Sequence, residues 1–173
     1  MKSDVFAEEI WEIYDKNLRT LAKDLLESLP DYFYTVPASS SGKYHPQYAL
    51  GGGGLVRHTK AAVKIALSLL ELEQYSHIRR DYVIVALLIH DGFKQGQNEG
   101  NTVKDHPWLA ANFARNFDYP NKIQLGEIAS LIESHMGQWY YGILPKPQSE
   151  EQKFVHLCDY LASRKFLEVN FDV

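Results

Sequence analysis

Six side chains carry the chemistry open to this sequence: His58, the neighbours His90 and Asp91, His106, His135 and Asp159. Imidazole nitrogens mixed with carboxylate oxygens suit divalent Mn, Fe, Ni, Zn or Mg, as one ion or two, whereas softer sites need thiolates. The chain has a single cysteine, Cys158. An adjacent His-Asp pair reaches a cation from one helix end, and the two oxygens of an aspartate can bridge two cations. Such a pair of ions acidifies a shared water and clamps both oxygens of a phosphoryl displacement. An aspartate at a helix C-terminus opposes the macrodipole, so Asp91 needs a cation to explain it. Asp159 interrupts an otherwise apolar run, residues 154–161, that only His156 also breaks. A buried carboxylate needs a partner. His106 and His135 admit blander readings, as a residue of a helix's first turn and as a cation at a helix's last turn.

Helical periodicity spreads these residues over five helices. A first helix, about 4–29, is capped by Ser3 or Asp4 and repeats Phe6, Ile10, Ile13, Leu18, Leu21 and Leu25 at helical spacing. An irregular segment, 30–54, follows, with Pro37, Pro46 and four glycines at 51–54. Loops of this length are uncommon unless they do something. Helices are then expected over 55–73, carrying His58, and over 80–90, which is apolar almost all round and ends in His90 and Asp91. Three more follow: 105–116, opened by His106; 122–135, closed by His135; and 150–168, holding Asp159. No stretch alternates with period two. The expectation is an all-α bundle of five to seven helices in one domain, whose core can focus side chains from facing helices. Residues 1–50, an amino-terminal helix and long loop, should pack on a metal-binding helical unit, 51–173.

The order and context of these residues resemble the HD superfamily of metal-dependent phosphohydrolases. His58, His90-Asp91 and Asp159 follow its H…HD…D signature. Gly53-Gly54-Leu55-Val56-Arg57-His58-Thr59 resembles the entry to its first ligand helix, and Leu87-Leu88-Ile89-His90-Asp91-Gly92-Phe93-Lys94 its His-Asp segment. His106-Pro107 and the helix ending in His135 resemble the bimetallic members. The resemblance implies that His58, His90, Asp91 and Asp159 hold a first metal and that Asp91, His106 and His135 hold a second. It also places Lys94 against a substrate phosphate or the attacking water. The implied activity is a phosphohydrolase or phosphodiesterase acting on a nucleotide or short oligonucleotide by metal-activated attack of water on phosphorus. Asp91 and Lys94 would be its catalytic residues. The Gly-Tyr-Pro element of cyclic-di-GMP phosphodiesterases and the Glu-Asp pair of stringent-nucleotide hydrolases are not reproduced, which disfavours those substrates. A di-iron oxygenase of HD type and a non-catalytic metal- or nucleotide-binding module compete; O₂ consumption after Fe(II) loading, or nucleotide binding without hydrolysis, would distinguish them.

Arg164, Lys43 and Ser39 are candidates for substrate contact, with Ser40 and His45 in the same loop as Ser39 and Lys43. The default readings are a surface ion pair for Arg164 and a plain connection for the loop. His156, one turn before Asp159, either orients a ligand or is a satisfied core histidine; His77 sits in a polar turn. Glycines 51–54 are no Walker loop, since no Gly-Lys-Ser/Thr follows, and instead let the backbone pass tightly into a helix. Trp108, Trp139, Tyr140 and Tyr141 could stack on a base, but aromatics at helix ends are more often core or rim.

A formal net charge of -4 provides no global attraction to nucleic acid, leaving a short single strand as the longest expected nucleic-acid partner beside small phosphate substrates. One cysteine excludes an intrachain disulfide framework and fits a reducing compartment. No signal peptide or apolar span of about 20 residues is apparent, so the expectation is a cytoplasmic protein without membrane contact. A homo-oligomer remains open.

Overall fold

A computed structural model of the chain describes residues 1–39, 42, 43, 45–139 and 142–165. Among them are seven α-helices and no strand: α1 (Ala7–Trp11), α2 (Lys16–Glu27), α3 (Gly54–Leu70), α4 (Arg80–Ile89), α5 (His106–Arg115), α6 (Lys122–Glu133) and α7 (Glu150–Ala162). The fold is all-α, as the absence of period-two alternation predicts. None of these helices is long and apolar enough to cross a membrane.

Helix α4 explains the arrangement. All its side chains from Val83 to Ile89 are fully buried. A helix without a polar face must be covered on every side, and α2, α3, α6 and α7 all pack against it. Helix α5 reaches the bundle through its broad contact with α6, and α3 lies along α7. The central helix therefore delivers the two residues that follow it, His90 and Asp91, into the middle of the bundle.

The expected first helix is two helices. Ile13 stays fully buried, so the apolar period runs on while the backbone breaks. The Asp15 carboxylate accepts from the amides of Asn17 and Leu18 and caps α2. Asp81 accepts from the amides of Tyr14 and Asp15, and Arg19 Nε donates to the Ile13 carbonyl. Helix α7 begins at a Ser149–Gln152 capping box and ends at Ala162, not 168; positions 166–168 lie outside the described residues.

The described residues of segment 30–54 are tied to the rest of the fold. The segment contains 3₁₀ turns at Asp31–Tyr34 and Gln47–Ala49. The Tyr48 hydroxyl donates to the Ala162 carbonyl at 2.8 Å, joining the segment to the end of α7. The amides of Gly53 and Leu55 donate to the carbonyls of Thr35 and Val36. At Gly54 an added Cβ would lie 2.2 Å from the Ala49 carbonyl oxygen, so only glycine admits this approach into α3.

Candidate metal centre

Asp91 is 1% exposed and sits where five helices meet. Its Oδ2 faces one pair of imidazoles: His58 Nε2 of α3 at 3.8 Å and His90 Nε2 at 3.5 Å. Its Oδ1 faces another: His106 Nε2 of α5 at 3.1 Å and His135 Nε2, just past α6, at 3.6 Å. Asp159 Oδ1 of α7 completes the first group, 2.9 Å from His58 Nε2 and 3.5 Å from His90 Nε2. The structure thus brings together all six residues singled out by type and spacing. His58, His90 and Asp159 converge closely enough to hold a cation, as do His90, Asp91 and His135.

Backbone carbonyls aim three of the rings. His90 Nδ1 donates to Leu87 O at 2.6 Å, His106 Nδ1 to Val103 O at 2.7 Å and His135 Nδ1 to Ile132 O at 2.7 Å. A carbonyl can only accept, so each Nδ1 carries the proton and each Nε2 can offer its lone pair. These Nε2 atoms point inward. Those of His106 and His135 stand 3.3 Å apart. That of His90 is buried without a hydrogen-bond partner. Converging buried lone pairs beside two carboxylates are unfavourable alone and fit a divalent cation, whose donors these residue types are.

Both carboxyls are held ionised. Burial pushes the Asp91 carboxyl up, but Lys94, His90, His106 and His135 outweigh it and hold it well below the usual carboxylate range. Burial likewise opposes ionisation of Asp159, and His58 and His90 overcome it. Burial would make His90 less basic, yet Asp91 and Asp159 raise its pKa. His106 is pushed down to about 4 by burial and by Lys94, leaving a neutral imidazole ready to donate.

Lys94 Nζ lies 2.9 and 2.8 Å from the two Asp91 oxygens. Its loop is held by Tyr32, whose hydroxyl donates to Gly96 O at 2.6 Å and accepts from the Gln95 amide at 3.2 Å. Lys94 and Asp159 also line a cavity of about 560 Å³, within the usual size for a small-molecule site. Arg164, Trp139, Tyr160, His45 and His156 line it too. Lys43 is exposed and Ser39 half-buried, and neither is among the described residues lining this cavity. Ser40, Tyr140 and Tyr141 lie outside the described residues. His77 is exposed, and Trp108 is 41% exposed.

Two residues that sequence reasoning left neutral belong to the site's surroundings. His156 Nδ1 donates to the His135 carbonyl at 2.7 Å, holding the turn that presents that imidazole. The His45 ring meets that of His58 edge-on, with centroids 5.6 Å apart. Position one turn from Asp159 was a signal for His156; nothing in spacing marked His45.

The family model described as HD domain matches residues 55–164. The dihydroneopterin 2',3'-cyclic phosphate phosphodiesterase of Methanocaldococcus jannaschii is 30% identical over 140 residues, covering 73% of this chain and 52% of that protein. The chain spans about half the length of this curated relative. No solved structure matches the chain.

Proposed function

The chain belongs to the HD domain family, and on that footing we propose that its buried centre is a metal-dependent phosphodiesterase site for a nucleotide or short oligonucleotide. What carries this reading is the division of Asp91: one oxygen faces His58 and His90, the other His106 and His135. A carboxylate shared between two sets of nitrogen donors suits a bridged pair of divalent cations. His58, His90, Asp91 and Asp159 would hold one ion, and Asp91, His106 and His135 the other. Bound there, the ions would supply an acidified water and neutralise charge growing on the phosphoryl oxygens.

The chain's own residues do the rest. The carbonyls of Leu87, Val103 and Ile132 fix the tautomers of His90, His106 and His135, so these three rings are already oriented. Lys94 reaches the cavity from Asp91 and gives a phosphate a counterion. Arg164, at the cavity wall, is a second cation for the substrate. Burial of the donors excludes bulk water and strengthens each of these interactions. The relative's name states action on a cyclic phosphate, which supports ester hydrolysis over the oxygenase alternative. We assign the protein to the cytoplasm, where a lone buried thiol such as Cys158 stays reduced.

Asp91→Ala removes the shared ligand. Turnover of bis-p-nitrophenyl phosphate with Mn should fall to background, and elemental analysis should show loss of bound Mn. Hydrolysis at the wild-type rate would refute the assignment.

A further inference from the structure

Trp139 is 46% exposed, yet it is not loose. Its indole stacks on the Tyr160 ring with planes 11° apart and centroids at 5.3 Å. The Arg164 guanidinium lies 4.6 Å from the Tyr160 ring and 5.7 Å from that of Trp139. Flat groups braced this way keep their orientation, and Trp139 lines the cavity. Scattered exposed aromatics need no explanation; a braced one on the wall of a reaction cavity does.

Its placement is built into the backbone. Trp139 ends the 3₁₀ turn Gly137–Trp139. Gly137 has φ +58°, and a Cβ there would lie 2.2 Å from His156 Cε1. His156 in turn packs against Trp139, with centroids 5.9 Å apart, and donates to the His135 carbonyl. The platform and the metal donors are therefore one ring apart. On α7 the neighbours Asp159 and Tyr160 serve the two halves, the first facing His58 and the second backing the indole. One cavity thus offers a ligand both the Asp159 and Lys94 side chains, for a phosphate, and the flat Trp139 ring, for a planar group.

We propose that Trp139, braced by Tyr160 and Arg164, is the specificity-determining residue that stacks on the heterocycle of the substrate, so that the site selects base-bearing phosphodiesters over bare sugar or glycerol phosphates. This rests on the phosphodiesterase reading for its catalytic arm only. Stacking on an aromatic side chain is sequence-tolerant, because every base has a π-face. The same platform would therefore accept different bases with similar affinity.

Two measurements test it on the full chain. With Mn, kcat/KM is compared for adenosine 2',3'-cyclic phosphate and for glycerol 1,2-cyclic phosphate, the same five-membered diester without a base. Trp139→Ala should cut the preference for the adenosine ester about 10- to 100-fold, chiefly through KM, and Trp139→Phe should restore most of it. With EDTA, AMP and ribose 5-phosphate are titrated by calorimetry. Wild type should prefer AMP, and Trp139→Ala should lose that preference by a similar factor. A preference unchanged by Trp139→Ala in both assays, or an equal loss on both esters, would overturn the proposal. If neither ester is hydrolysed, the phosphodiesterase reading fails, and the EDTA titration still decides the platform.

Discussion

Lys94 and Asp91 form a buried pair, 14% and 1% exposed, in which the ammonium spans both carboxylate oxygens. Losing one partner of such a pair strands the other charge, at about 3–5 kcal/mol. Lys94→Ala should therefore lower the melting temperature sharply in EDTA. Bound Mn would take over as counterion, so the drop should shrink on Mn loading; equal drops in both melts would show that Lys94 does not balance Asp91. The six candidate donors were legible because acids and imidazoles are conspicuous in apolar helices and each demands a partner. His156 and His45 were not, because what they touch, the His135 carbonyl and the His58 ring, is set by packing between distant segments.

Among the elements, the turn Gly137–Trp139 joins α6 to the cavity wall. Gly137→Ala forces a side chain into the left-handed region and against His156. A destabilisation of about 1–2 kcal/mol from the backbone alone is expected, with more from the displaced ring. Urea denaturation measures it, and the KM for adenosine 2',3'-cyclic phosphate should rise with it. Helices α3 to α6 were readable to within a few residues, because α3, α5 and α6 each carry an apolar stripe, α4 is an apolar run, and glycine or proline lies close to one end of each. The break before α2 was not. Ile13 keeps the helical period while Asp81 and Arg19, remote in sequence or on the next helix, capture the interrupted backbone. Segment 30–54 read as irregular; its described residues are held by bonds to residues as distant as Ala162.

For the whole molecule, Arg79 fastens three helices. From the N-cap of α4 it grips both oxygens of Glu151 on α7, at 2.8 and 2.7 Å, and Glu127 on α6 at 2.9 Å. The Arg79 hydrogen bond holds the Glu151 carboxyl below its usual range, against the pull of burial. A depressed carboxylate stabilises the fold in full above its unfolded-state pKa, about 4.3, and loses that contribution as pH falls through the lower folded-state value. Arg79→Ala should cost roughly 0.5–1 kcal/mol near neutral pH, since the guanidinium is 44% exposed. Urea midpoints of wild type and variant should converge below about pH 4; a gap that stays constant into acid would assign the effect to packing instead. A different lesson comes from Tyr32, whose phenol fastens the loop carrying Lys94 from a position well ahead of the matched stretch, 55–164. The structural unit is thus longer than its family signature: all six candidate donors fall inside that stretch, but the peg that holds the loop of Lys94 is supplied from outside it.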